Sequence, residues 1–298
     1  MPVSFASLRR KTAMVFLAII VAAASLWVSS PSEAKSLCSE SKALTVQLPD
    51  PVSGRRYEIY ISLPADYSER LGRSYPLVII ADGGRAFPKL SCDAHTLAKN
   101  KHADQTIVVG LSYALGEKLE ASRRRDYTPV RLPESGRIYG GAAAYQSYLR
   151  DVVLRYVEDH YRVASNRRIF WGHSYGGLLG THILLTEPSL FQAYILGSPS
   201  FWFADEAIYE FEAGYARMHR QLNAQIFFYV GGLETSRRDP ARKGETRDMI
   251  AGMQKFQARL RSRGYEGLNI SSMIIEGTDH ISSVRPGFTW GIKAALGN

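Results

Sequence analysis

The sequence predicts an α/β fold: a mostly parallel eight-stranded sheet with an antiparallel N-terminal hairpin and helices on both faces. Short apolar runs alternate with longer segments of helical periodicity. Most runs are β-branched or aromatic and nearly continuous, which is typical of strands buried on both faces. The first two runs instead alternate in the strand manner and are joined through Asp-Pro-Val-Ser-Gly, which indicates a hairpin.

The predicted elements follow one another along the whole chain. Strands are expected at residues 44–48, 57–63, 76–81, 106–111, 168–171, 193–196, 226–230 and 270–275. Helices are expected near residues 89–100, 143–163, 176–187, 204–221, 245–263 and 288–296. An antiparallel pair followed by six strands is the layout of an α/β-hydrolase, but the parallel part alone is equally compatible with a nucleotide-binding fold. The motifs decide between the two.

Residues 1–34 predict a signal peptide, which leaves residues 35–298 as one domain. Three basic residues at 9–11 precede an apolar run over 12–28, and small residues lead up to Ala34. The alternative is an uncleaved membrane anchor, but the run is short of the roughly 20 residues that a spanning helix prefers. We therefore expect a periplasmic or secreted protein with no stable membrane insertion after cleavage.

Charge and cysteine content indicate which partners and which covalent cross-links to expect. The chain carries a net charge of +9, yet its Lys and Arg residues are scattered and form no basic strip interleaved with aromatics. Nucleic acid is therefore not an expected partner. Cys38 and Cys92 are the two cysteines, and export would place them where disulfides persist. We expect an intramolecular Cys38–Cys92 bridge; two unpaired buried thiols are the alternative.

A Gly-x-Ser-x-Gly motif lies between the fifth predicted strand and a helical pattern. It consists of Gly172, Ser174 and Gly176. In this context the serine occupies a strained turn that lifts its hydroxyl above the sheet, and the glycines prevent collisions. The turn also aims the Tyr175 amide at the point where negative charge develops. Ser174 is the predicted nucleophile of an α/β-hydrolase; an ordinary Gly-rich turn is the alternative.

A serine nucleophile needs an imidazole to take its proton, and three histidines follow Ser174. His182 lies two turns along the helix that begins at the motif, and His219 lies within a helical pattern. His280 follows the last strand, at the sheet edge where α/β proteins bind ligands. The order of the chain therefore predicts His280 as the base.

Three carboxylates near the last two predicted strands are candidates for the acid that orients this imidazole. Glu234 follows the penultimate strand, where this fold supplies the carboxylate that holds the imidazole in its working tautomer. Asp239 lies five residues further along. Asp279 adjoins His280 and has difficulty reaching its ring. We expect Glu234 to be the acid, and a Ser–His dyad without an essential acid stays open.

Five segments together resemble the putative esterase family of α/β-hydrolases, closest to its periplasmic siderophore esterases, which act on enterobactin- or salmochelin-type trilactones. The resemblance spans roughly residues 43–296. The segments are Ala-Asp82-Gly-Gly-Arg85-Ala-Phe, Arg-Arg-Arg125-Asp126-Tyr127-Thr128-Pro129, Gly-His-Ser174-Tyr-Gly-Gly, Gly-Ser198-Pro199-Ser200-Phe-Trp202 and Gly-Thr-Asp-His280.

The resemblance implies Ser174 as nucleophile and His280 as base, whereas the position of the acid varies in the family. It also implies that the backbone amide of Gly84 or Arg85 joins that of Tyr175 in the oxyanion hole. Family members often have a bulkier polar residue in place of Gly84.

The resemblance further implies a small-molecule ester substrate, a ferric or iron-free siderophore. Ferric catecholate siderophores are polyanionic, and Arg85, Arg125 and Arg131 are candidates to line a mouth that attracts them. A structural role is the alternative, evenly weighed for Arg125 and favoured for Arg123 and Arg124. Trp202 is a candidate substrate contact or an ordinary core aromatic.

The sequence thus predicts an exported serine esterase that works through an acyl-enzyme on Ser174. An acyltransferase and a carbohydrate or feruloyl esterase use the same triad and remain alternatives, and a non-catalytic binding protein is the least favoured. No metal or organic cofactor is expected, because no ligand-spaced His/Cys/Asp cluster and no dinucleotide or Walker glycine motif occurs.

Overall fold

Eight strands form one sheet in the computed structural model of this protein, which describes residues 43–235 and 247–297. The spatial order is β1-β2-β4-β3-β5-β6-β7-β8. β1 and β2 pair antiparallel, β2 joins β4 antiparallel, and every other pairing is parallel. The strands are β1 Leu44–Pro49, β2 Arg56–Ser62, β3 Tyr75–Ile80, β4 Ile107–Leu111, β5 Val163–His173, β6 Ala193–Gly197, β7 Gln221–Gly231 and β8 Glu266–Ile275.

Helices connect the parallel strands. They are α1 Gly83–Lys99, α2 Leu119–Tyr127, α3 Ala142–Tyr148, α4 Arg155–His160, α5 Tyr175–Thr186, the short α6 Phe203–Glu206, α7 Ile208–Met218, α8 Met249–Ser262 and α9 Val284–Leu296. A π-helical segment, Leu149–Leu154, joins α3 to α4, and short 3₁₀ turns occur at Pro133–Ser135 and Pro188–Leu190. None of the helices within the described ranges has both the length and the hydropathy needed to cross a bilayer.

The central strands bury both of their faces. In β3, Leu77 and Ile79 belong to one apolar cluster, whereas Val78 and Ile80 belong to a second cluster on the opposite face. Successive side chains of a strand point to opposite faces, so an uninterrupted apolar run contributes to both clusters. This explains why the strand signal in the sequence is continuous rather than alternating.

The predicted fold class is confirmed, with the antiparallel hairpin and the six following strands in place. The helix expected near 143–163 is divided by the π-helical segment. The structure also contains α2, which is not among the helices predicted from the sequence. Its nine residues, Leu-Glu-Ala-Ser-Arg-Arg-Arg-Asp-Tyr, have no apolar stripe for helical periodicity to detect.

Four loops that matter for function meet at one edge of the sheet. They follow the carboxyl ends of β3, β5, β7 and β8, which point the same way because these strands are parallel. This is the edge at which open α/β sheets bind ligands. The predicted signal peptide, Cys38 of the predicted Cys38–Cys92 bridge, and Asp239 lie outside the described residues, so those expectations stay predictions.

Candidate active site

The chain turns sharply from β5 into α5 at Ser174. Its φ of 59° and ψ of −117° place a non-glycine residue in a strained region, which is the turn the motif predicts. A Cβ on Gly172 would lie 2.2 Å from the Gly176 carbonyl oxygen, so the turn can close only around glycine. The Ser174 N–H donates to the Gly197 carbonyl at 2.8 Å, which fixes the turn to β6.

A histidine and a buried glutamate face each other beside this turn. His280 Nδ1 lies 2.6 Å from Glu234 Oε2, although the two residues are 46 positions apart. Glu234 is completely buried, while the His280 side chain is about one-third exposed. The other carboxylate oxygen, Oε1, accepts hydrogen bonds from Ser198 Oγ at 2.6 Å and from the Gly231 N–H at 2.8 Å. A buried carboxylate is thus held by three hydrogen bonds, as burial of a charge requires.

Asp279, the other carboxylate near His280, turns away from the ring. Its Oδ1 accepts from the N–H groups of Ile281 and Ser282 and from Ser282 Oγ, at 3.0, 2.7 and 2.6 Å. Hydrogen bonds from the side chain and backbone of Ser282 and from the Ile281 N–H lower the pKa of Asp279. Asp279 therefore holds the turn that carries His280.

The Ser174 hydroxyl makes one hydrogen-bond contact within the described residues, with Ser200 Oγ at 3.3 Å. It is not bonded to His280 in this structure. Nucleophile–base hydrogen bonds are often unformed without substrate, so the geometry leaves His280 eligible as a base. Ser200 is buried, and its N–H donates to the Ser174 carbonyl at 3.2 Å, which ties the two serine-bearing turns together.

His173 packs directly against His280. The two ring centroids are 4.5 Å apart, and His173 Nδ1 lies 3.3 Å from the Tyr229 hydroxyl. Complete burial, and after it the nearby His280 and Arg123, depress the pKa of His173 well below its ordinary value. His173 therefore stays neutral and adds no repulsive charge when His280 takes a proton.

The loop after β3 supplies backbone donors at the same edge of the sheet. Asp82 has a φ of 58°, and helix α1 begins at the next residue. The Arg85 N–H already donates to the Asp82 carbonyl at 3.0 Å. The N–H groups of Gly84 and Tyr175 have no hydrogen-bond partner in the part of the chain that the structure describes. Of the two residues expected to complete an oxyanion hole, Gly84 is thus the one with a donor to spare.

An ion pair fastens this loop to the nucleophile turn. Arg123 donates from Nε and one terminal nitrogen to the two carboxylate oxygens of Asp82, at 2.6 and 2.9 Å, and also to the His173 carbonyl at 3.1 Å. Burial disfavours the guanidinium charge, but Asp82 outweighs it and the pKa of Arg123 is raised. The Tyr113 hydroxyl donates to Asp82 at 2.7 Å, and the Asp82 N–H donates to the Tyr127 hydroxyl at 3.0 Å.

Arg123 was predicted from the sequence to have a general structural role, with no connection to the site. A usable signal was present, because residues 123 and 127 are four apart and share one face of a helix. Recognising α2 as a helix would have brought both residues toward one partner.

The structure does not bring Arg125 into contact with the Ser174 site. Its guanidinium bonds Asp126 at 2.8 Å and also contacts Glu117, and its side chain is only 10% exposed. Burial raises the pKa of Asp126, although bonds from Arg125 oppose the rise. The two residues form a buried pair beside the Tyr57 hydroxyl, which agrees with the structural alternative weighed from sequence.

Two of the remaining predicted substrate contacts, Arg85 and Trp202, lie near the nucleophile turn, whereas Arg131 lines a separate cavity that does not include Ser174. Arg85 is two-thirds exposed and pairs with Glu120 at 3.3 Å. Trp202 is half-buried: its ring lies 6.1 Å from that of Tyr175, and the Arg247 guanidinium stacks over it at 3.9 Å. Arg247 was not singled out from the sequence, where nothing marks it as a neighbour of Trp202.

A serine on a strand-to-helix turn, followed by an acidic residue after β7 and a histidine after β8, is the arrangement of an α/β-hydrolase. A family model described as "Putative esterase" matches residues 51–280. The chain belongs to this esterase family and is thus a hydrolase by family, as the sequence motifs predict.

Named relatives agree with this assignment. Ferri-bacillibactin esterase BesA of Bacillus subtilis is 25% identical over 240 residues, covering 76% of this chain and 80% of the relative. The siderophore triacetylfusarinine C esterase of Aspergillus fumigatus is 35% identical over 156 residues, which is about half of each protein. The solved siderophore hydrolase EstB from Aspergillus nidulans superposes with a TM-score of 0.73 at 27% identity, covering 85% of this chain and 95% of EstB.

Proposed function

We propose that this protein is a serine carboxylic-ester hydrolase that acts through an acyl-enzyme on Ser174. The observation that carries the proposal is the contact of 2.6 Å between His280 Nδ1 and the buried Glu234, at the sheet edge that also carries Ser174. A fully buried carboxylate directed at one imidazole nitrogen fixes the proton on Nδ1 and leaves Nε2 free to accept another.

The proposed reaction has two balanced steps. In the first, the Ser174 hydroxyl gives up its hydrogen bond to Ser200. Its Oγ attacks the ester carbonyl carbon and passes its proton to His280 Nε2. The single bond between the carbonyl carbon and the leaving-group oxygen then breaks, and the departing alkoxide takes the proton from His280. In the second step, water attacks the acyl-enzyme with His280 again as base, and Ser174 recovers its proton as the acid leaves.

The oxyanion is assigned to two backbone donors, the N–H groups of Tyr175 and Gly84. Both are free within the described residues, and each lies in the first turn of a helix, α5 for Tyr175 and α1 for Gly84, where the helix dipole is positive. The Arg123–Asp82 pair keeps the Gly84 loop next to the nucleophile turn. Removing one such donor in other enzymes costs roughly 10²–10³-fold in kcat.

We assign siderophore esters as the substrate class. The support is the activity named for the relatives together with the chemistry of the side chains around the nucleophile turn. Trp202 and Tyr175 offer aromatic faces, while Arg247 and Arg85 supply positive charge. Arg binds planar anions well, so an aromatic, anionic acyl group fits these side chains.

Site variants assayed on a substrate panel test the proposal. Chromogenic short-chain esters and iron-free and iron-loaded trilactone siderophores would be incubated with enzyme, and the products identified by mass spectrometry. We expect Ser174→Ala and His280→Ala each to lower turnover by roughly 10⁴-fold or more, with the double variant little worse. Ser147→Ala, which alters a partly buried serine on α3, is the matched control. Wild-type turnover in Ser174→Ala would sink the proposal, and acyl transfer to an added alcohol in preference to water would indicate an acyltransferase.

We also propose export to the periplasm or outside the cell, on the basis of the N-terminal sequence pattern. N-terminal sequencing of protein from the cell envelope or medium should begin near Lys35. Recovery of the full-length chain from the cytosol alone would contradict export.

A further inference from the structure

A cavity lies apart from the Ser174 site, between the β1–β2 turn and the loop of residues 128–141. Its volume is about 510 Å³, which is within the range of small-molecule sites. Its lining includes Tyr57 and Arg125 at the base, Arg131 and Arg137 at the rim, and Ile138 and Tyr139 on the loop.

The loop that covers this cavity is fastened at its neck. The N–H groups of Gly140 and Ala142 donate to the side chain and carbonyl of Thr128 at 2.9 and 3.1 Å, and the Gly141 N–H donates to the Arg125 carbonyl at 2.8 Å. Gly140 has a φ of 84°, and a Cβ there would lie 2.6 Å from the Arg131 nitrogen. Only glycine fits at this position, so the two ends of the loop are held in one conformation.

The acidic groups of the cavity are already satisfied by the protein. Asp126 accepts from Arg125, Ser122 Oγ and the Tyr57 hydroxyl. Asp50 accepts from the N–H groups of Val52 and Ser53 and from Ser53 Oγ, so its carboxylate is hydrogen-bonded within its own turn.

The two rim arginines are different. Within the described residues neither Arg131 nor Arg137 forms an ion pair, and both are exposed at the cavity. Apolar surface from Leu132, Ile138 and Tyr139 lies beside them. Two unpaired guanidinium groups next to apolar and aromatic surface complement a molecule with an anionic group on an apolar ring.

We propose that this cavity is a binding site for a small organic anion, an aryl carboxylate or a similar amphiphilic acid. The carboxylate pairs with Arg131 and Arg137, and the ring lies against Ile138 and Tyr139. Phe203 connects the cavity to the nucleophile turn, because its ring lies 5.4 Å from that of Tyr139 and 5.7 Å from that of Tyr175. Its lining does not include Ser174, Glu234 or His280, so it is a separate site and does not depend on the proposed function.

Binding of benzoate to the full-length Ser174→Ala variant tests this site without interference from hydrolysis. Amide chemical shifts and isothermal titration would be followed for benzoate, for neutral benzamide and for inorganic phosphate. We expect saturable benzoate binding that shifts the Tyr139, Gly140 and Gly141 amides, with weaker binding of the other two probes. Adding Arg131→Ala and Arg137→Ala together should weaken benzoate about tenfold or more.

The matched control is Arg155→Ala on α4, which removes one exposed charge away from the cavity and should leave benzoate affinity unchanged. Each of the following results would overturn the proposal: no saturable shift at residues 139–141, equal binding of benzamide and benzoate, or full affinity in the double arginine variant. Equal binding of phosphate and benzoate would show that the apolar surface plays no part, which contradicts the ligand class proposed.

Discussion

Replacing Glu234 with Gln separates a working triad from a Ser–His dyad. The change preserves shape but removes the charge and makes one side of the group a donor. The Gly231 N–H and the Ser198 hydroxyl both donate to Oε1, so the amide oxygen of Gln must take that place. Its NH₂ group then faces His280 Nδ1, which has to become an acceptor. The proton moves to Nε2, and the imidazole can no longer deprotonate Ser174.

The alternative orientation of the amide is also costly. It would point the NH₂ group at the Gly231 N–H at a position that is completely buried, and an unsatisfied buried donor costs roughly 1–3 kcal/mol. We therefore expect Glu234→Gln to lower kcat by roughly 10²–10⁴-fold, equal to about 3–5 kcal/mol of barrier. KM should change little, because Glu234 is buried behind His280.

The assay is steady-state hydrolysis of a chromogenic ester at saturating substrate over a pH series. Asp239→Asn, the other carboxylate that the sequence offered after β7, should be close to neutral. A loss of less than about tenfold in Glu234→Gln would refute the tautomer argument and favour a dyad. A steep loss in Asp239→Asn alone would move the acid five residues along the chain.

Two further changes test the surroundings of the site and the core. Ser198→Ala removes one of the three bonds to Glu234 but keeps its charge, so kcat should fall by roughly 10–100-fold at unchanged KM; an effect below twofold would contradict a role in positioning the acid. His182→Leu tests burial: burial lowers the pKa of His182 from 6.5 to about 4, and neither ring nitrogen has a hydrogen-bond partner within the described residues. Protonation of His182 in the unfolded chain should therefore leave the wild-type free energy of unfolding unaffected above pH 6.5 and lower it as the pH drops toward 4. Because the variant lacks this histidine, urea unfolding should show its free energy of unfolding rising, relative to wild type, by up to about 3 kcal/mol over that range. His102→Leu, at an exposed histidine, is the matched control.

The parts of the site that were predictable from sequence are those fixed by local geometry. The turn at Ser174 needs glycine on both sides, and that need leaves a motif in the chain. Glu234 and His280 were ranked by their place after the last two strands, and this worked as a guide to location because parallel strands end at one edge. The eight strands could be predicted because each forms an apolar run of suitable length.

The unpredicted parts depend on which elements are neighbours in space. Ser198 reaches Glu234 only because β6 lies between β5 and β7. Arg123 reaches Asp82 only because α2 is a helix that packs beside the β3 loop, and α2 lacks the apolar stripe that would reveal it. The adjacent Arg125 points to Asp126 and Glu117 instead. Arg123 and Arg125 have different partners because they point in different directions from the same helix. The composition of the segment does not reveal those directions.

The most direct test of the central claim is to identify the residue that a fluorophosphonate probe modifies. Intact-mass and peptide mass spectrometry of wild-type enzyme should find one adduct, on the peptide containing Ser174, formed as activity is lost. Ser174→Ala should remain unlabelled, and Glu234→Gln should label much more slowly, because the probe needs the same deprotonated hydroxyl. An adduct on another residue, or an active enzyme that takes up no probe, would contradict the account.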